Sequence, residues 1–135
     1  MDYRKIALGA LAYTLVTFPL AVIWHVIAFE QQYQAFRYFA GEPSFIVGFV
    51  SILLQGIIMS ALYPRVSLAG SALVRGLKYG LILGAFFWTS HVLAFVAKQE
   101  MADTSLFIAM ESVYLLLQFG IYGALIGLTY RNSGG

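Results

Sequence analysis

Four long apolar runs, separated only by short polar stretches, organise this chain: Ile6 to Phe29, Ser44 to Tyr63, Tyr79 to Ala97 and Thr104 to Thr129. A helix needs roughly 20 residues to cross a hydrocarbon core about 30 Å thick, and each run has about that length. Inside such a core every backbone N–H and C=O must be satisfied within the protein, which leaves helices or a closed barrel. Barrel strands would show ~10-residue segments of alternating polarity. These runs are apolar on every face, so the chain reads as all-α, an integral membrane four-helix bundle forming one domain.

The composition agrees, with 61% hydrophobic and 10% charged residues among 135, against roughly 45–50% and 25% in soluble domains. Eight basic residues against six acidic ones form no patch, so nucleic acid is not expected as a partner. With no cysteine, disulfides, thiolate metal sites and cysteine nucleophiles drop out. A P-loop, a dinucleotide-binding glycine fingerprint, a zinc-protease helix and a nucleophile elbow are all missing, and no catalytic residue is assigned. The first run is too long for the apolar core of a signal peptide and reads as a retained span. Pro19 within it is expected to kink the helix. The tail from Arg131 to Gly135 is expected to be disordered.

Basic residues near span ends set orientation. Arg4, Lys5, Arg65, Arg75, Lys78 and Arg131 fall on one side, Arg37 and Lys98 on the other. The first side is expected to be cytoplasmic and to hold both termini. In the first outer loop, Phe29, Tyr33 and Phe36 follow helical spacing between Gln31, Gln32 and Gln34. That pattern predicts an amphipathic segment at the interface, part of an aromatic belt.

Sliding the chain against itself aligns His25-Val26-Ile27-Ala28-Phe29 with His91-Val92-Leu93-Ala94-Phe95, and Leu53-Leu54-Gln55 with Leu116-Leu117-Gln118. The matches predict a 2+2 parallel internal duplication, with halves of about 1–65 and 66–131. Gly48 then stands where Glu111 stands in the other half. Small residues recur at four-residue spacing in Gly76, Gly80 and Gly84, in Gly123 and Gly127, and in Gly56 with Ser60, marking faces of close helix approach.

Ionisable groups within spans are costly and become the candidate site. Counting 1.5 Å per residue from the span ends puts His25, His91 and Glu111 at a common depth of about 8–10 Å in the outer leaflet. Gln55 and Gln118 lie below them near the bilayer middle, and Trp88 extends the stripe that leads to His91. A carboxylate between imidazoles can retain its charge where each group alone would lose hydration.

Three functions are consistent with this layer. The first is a non-catalytic accessory subunit of a larger membrane complex, or a homodimer, binding a hydrophobic ligand such as a lipid or quinone-like molecule. The second is a haem b protein with His25 and His91 as axial ligands and Arg37 or Lys98 near the propionates. The third is a dimeric proton-coupled transporter of a small solute with Glu111 as the titrating group.

Trp24-His25, Tyr63-Pro64, Gly76-Leu77-Lys78-Tyr79-Gly80, Ser90-His91 and Met110-Glu111 resemble the recurring pattern of small uncharacterised bacterial four-span inner-membrane proteins. The resemblance implies a bacterial inner membrane and assigns no functional residue.

Overall fold

The computed structural model describes residues 1–132. Its helices are α1 (Tyr3–Val22), α2 (Glu30–Ala35), α3 (Phe45–Leu62), α4 (Ala72–Trp88), α5 (Phe95–Lys98) and α6 (Thr104–Thr129). A π-helical turn at Ile23–Ala28 extends α1, a second at Thr89–Ala94 joins α4 to α5, and a 3-10 turn at Tyr63–Arg65 ends α3. Four stretches are long and apolar enough to cross a membrane: Tyr3–Ala28, Phe45–Arg65, Ala72–Lys98 and Thr104–Thr129.

Each span starts at a side-chain cap, where Asp2, Ser44, Ser71 and Asp103 accept from the backbone N–H of Lys5, Val47, Val74 and Leu106. Such caps satisfy first-turn donors that have no partner within the helix. They also explain why the first and third helices begin earlier than the apolar runs. Lys78, in the second turn of α4, reaches back to the Ala69 carbonyl at 2.9 Å and keeps its charge out of the apolar layer. The expected tail begins in a turn at Arg131 and Asn132, and its last three residues lie outside the described residues.

Packing orders the long helices α3, α1, α6, α4 across the bundle. α1 lies along α3, α4 along α6, and α1 meets α6 over a shorter length. Backbone proximity is what joins α4 to α6. A Cβ placed on Gly80 would fall 2.9 Å from the Gly123 Cα, and one on Gly56 would fall 3.1 Å from the Ala10 Cα of α1. In lipid, where apolar exclusion gives no drive, such approach supplies the dispersion energy of association.

The two outer helices of this row, α3 and α4, have no such seam. They meet at the end that carries the termini, where the Tyr79 hydroxyl donates to the Met59 carbonyl at 2.7 Å and the Tyr63 ring packs on Tyr79 and Tyr130. Towards the opposite end they part.

α1 continues through Pro19, and the disturbance of its ladder comes later, at Ile23–Ala28. The second π turn has no proline, so proline is not required for the first. The two turns lie at the same 66-residue offset as the matched histidine segments. The first outer loop departs from the expected interfacial belt. Tyr33 and Phe36 are wholly buried, with Phe36 and Phe107 rings 5.5 Å apart, so α2 folds back over the bundle as a plug.

Candidate functional site

The two π turns aim His25 and His91 at one carboxylate. Glu111, in the second turn of α6, has no exposed surface. Its Oε1 lies 2.5 Å from His25 Nε2, and its Oε2 lies 2.6 Å from His91 Nε2. A third bond comes from the loop, where the Tyr33 hydroxyl donates to Oε1 at 2.7 Å. π turns release carbonyls from the regular ladder and recur at functional sites. Here the Ala21 carbonyl takes up His25 Nδ1 at 2.9 Å.

Proton positions follow from which atoms can only donate or only accept. The Ala21 carbonyl only accepts, so Nδ1 of His25 carries a hydrogen. The Trp24 indole N–H only donates, and it bonds the Tyr33 oxygen at 2.7 Å, so the Tyr33 proton points to Glu111. Each His–Glu contact then needs one further proton. With the fewest protons that serve every contact, His91 is a neutral Nε2–H tautomer and one proton is shared between His25 Nε2 and Glu111 Oε1, so the cluster carries no net charge. Three tyrosine rings enclose the His25 imidazole. Tyr38 stacks on His25 with centroids 5.1 Å apart, while Tyr33 and Tyr114 approach at 4.6 Å. Such ring arrangements stabilise a desolvated cation.

Tyr38 is placed by the loop itself. After α2, Arg37 takes a left-handed φ of 58°, the Arg37 N–H bonds the Gln34 carbonyl and the Tyr38 N–H bonds the Tyr33 carbonyl. This is a Schellman end, complete with its ring contact between Tyr33 and Tyr38. It turns the Tyr38 hydroxyl to 3.3 Å from His91 Nε2. Burial first, then the negative Glu111 and its hydrogen bond, push the Tyr33 phenol above its ordinary value. Burial and then the charge of Glu111 do the same to Tyr38. Both phenols therefore keep their protons.

A lower polar layer ties α1, α3 and α6 together. Gln118 Nε2 donates to the Tyr13 hydroxyl at 2.8 Å, which donates onward to Gln55 Oε1 at 2.9 Å. Among the described residues no hydrogen bond joins this layer to the histidine layer.

A cleft of about 330 Å³ lies between the two layers, where α3 and α4 part. Thr17, Gln55 and Gln118 form its floor and Tyr38 and Phe39 its roof. His25, His91 and Tyr114 form its back, and Phe18, Phe45, Gly48 and Phe87 line its walls. His91 keeps 27% of its side chain exposed, against 6% for His25. The Thr17 hydroxyl oxygen is sealed from the cleft and lies against the Tyr13 hydroxyl. A Cβ on Gly48 would meet nothing within 4 Å.

No family model matches this chain, and neither a curated protein nor a solved structure matches it.

The structure thus brings His25, His91 and Glu111 into direct contact and places Gln55 and Gln118 beneath them. It sends Trp88 elsewhere: its indole N–H bonds Ser112 at 2.9 Å in a groove between α4 and α6. The π turn that begins at Thr89 widens the helix, so the regular stripe from Trp88 to His91 no longer holds. The residues missed by sequence are Tyr33, Tyr38 and Trp24. Tyr33 was visible only as part of an amphipathic pattern. Nothing local signalled that α2 would fold inward.

The histidines do not present themselves to a haem. Both Nε2 atoms face Glu111, whose carboxylate fills the space an iron and its macrocycle would need. Nor do the three groups converge on one point as metal ligands would, because each imidazole takes a different oxygen. Among the described residues no cluster of three or more His, Asp or Glu is arranged for a metal ion.

Proposed function

We propose that this protein is a non-catalytic binder of a small hydrophobic ligand, held in the cleft between α3 and α4 with its polar part against the His25–Glu111–His91 layer. The observation that carries the reading is the cleft itself, about 330 Å³ between largely apolar walls with His91, Tyr38, Gln55 and Gln118 converging on it. Mostly apolar walls with a few convergent polar groups are the usual make-up of a ligand site.

The same proposal covers the setting. The basic end, with both termini, faces the cytoplasm of a bacterium across its inner membrane, and the cleft opens in the outer leaflet. The repeat offset shared by the two π turns supports an ancient duplication in which one half keeps Glu111 and the other, at Gly48, leaves space. An accessory role follows if the protein delivers its ligand to a larger membrane complex.

The test is to purify the protein in mild detergent, extract bound small molecules and compare it with Gly48→Leu, which fills the cleft from a position with open space around it. One amphipathic species at about one per chain, lost in the variant, supports the reading. Equal recovery from both proteins refutes it.

A further inference from the structure

Hydrogen-bond donors face the cleft from both ends. At the roof, His91 Nε2 uses its hydrogen on the Glu111 carboxylate, so the Tyr38 oxygen 3.3 Å away can only accept from it. The Tyr38 proton is left without a protein acceptor among the described residues. At the floor, the Gln55 carbonyl oxygen is held by Tyr13, so its amide N–H groups are unspent.

The lining contains no Lys, Arg, Asp or Glu. A charged headgroup would find no free countercharge at membrane depth, because His25 and Glu111 satisfy each other, which disfavours phospholipids and fatty acids. The occupant is therefore neutral, carries acceptors at two opposite ends, and is flat enough to lie between the Phe18 and Phe87 sides.

Spacing narrows the class. Gln118 lies seven residues below Glu111 on α6, so the backbone positions that carry the two layers are about 10.5 Å apart at 1.5 Å per residue. A six-membered ring with para carbonyls spans about 5 Å from oxygen to oxygen, and a hydrogen bond of about 3 Å at each end brings it to about 11 Å.

Resting on the cleft reading above, we infer that the ligand is a para-quinone. Its ring stands between Tyr38 and Gln55, and its apolar tail leaves through the gap between α3 and α4 into lipid. Only binding is assigned.

The experiment is equilibrium binding to the full chain in phosphatidylcholine nanodiscs, with decylubiquinone, decylbenzene and dodecanoate as probes. Decylubiquinone should bind saturably at one per chain and at least about fivefold more tightly than decylbenzene, which lacks both acceptors. Tyr38→Phe should weaken the quinone about two- to tenfold, the worth of one hydrogen bond, and leave decylbenzene unchanged. Gly48→Leu, or Ser51→Phe as an independent plug should the first fail to fold, should abolish binding.

If decylbenzene or dodecanoate binds as well as the quinone and the plugs still block it, the quinone assignment is overturned while the cleft stands. If no probe saturates, or binding survives both plugs, both readings fall.

Discussion

Removing the carboxylate of Glu111 should loosen the whole bundle, because it is the single acceptor for three groups from three other elements. Glu111→Ala deprives His25, His91 and Tyr33 of their partner. Side-chain hydrogen bonds inside membrane proteins are worth about 0.6 kcal/mol on average and up to about 1.7, so three amount to about 2–5 kcal/mol. An independent route, the cost of breaking a buried ion pair from one side, gives about 3–5 kcal/mol. Glu111→Gln keeps an acceptor for Tyr33 and His25 but turns N–H groups towards His91, so it should cost less, about 1–2 kcal/mol. The assay is reversible unfolding by SDS in mixed micelles, followed by Trp24 fluorescence, since Trp24 hydrogen-bonds Tyr33 beside the cluster. Glu30→Ala serves as the control: Glu30 is exposed and bonds only Gln34, so the change should stay within about 0.5 kcal/mol. If Glu111→Ala proves no worse than this control, the carboxylate is not the keystone described.

Gly80→Leu should break the α4–α6 seam at a cost of more than about 3 kcal/mol, as read by the same SDS titration, because its Cβ meets backbone rather than flexible side chain. Gly120→Ala, with nothing within 4 Å of the new methyl, should be neutral or stabilising by up to about 1 kcal/mol. Stability should be full below about pH 10, the ordinary tyrosine value, and fall above it, since the raised Tyr33 and Tyr38 bind protons more tightly folded than unfolded. The double variant Tyr33→Phe/Tyr38→Phe should flatten that decline in an alkaline unfolding series, and an unchanged slope would contradict it. Reporter fusions at both termini should read the cytoplasmic side, and opposite readings would reverse the proposed orientation.

Much of the architecture was legible because the cost of bare peptide groups in hydrocarbon leaves few options for long apolar runs. The meeting of His25, His91 and Glu111 was legible for a related reason: ionisable groups at equal depth have nowhere cheaper to go than towards one another. Where regular periodicity failed, the cause was local. Extrapolating α4 in steps of three and four put Trp88 beside His91, and the wider π turn separates them. Tyr33 and Phe36 read as a belt because amphipathic spacing says which face is apolar, not whether lipid or protein will cover it. Tyr38 was out of reach altogether, since its position depends on the left-handed turn at Arg37, a conformation that arginine itself does not announce.

The placement of the acid on α6 bears on biogenesis. Chain order means that both imidazoles are synthesised before the segment bearing Glu111. The carboxylate enters oil with its counterpart waiting, and the closing act of assembly is also the one that neutralises the most awkward side chain in the sequence. A truncation ending before α6 would strand His25 and His91 without an anion, and quality-control proteases would have a clear mark of an unfinished molecule.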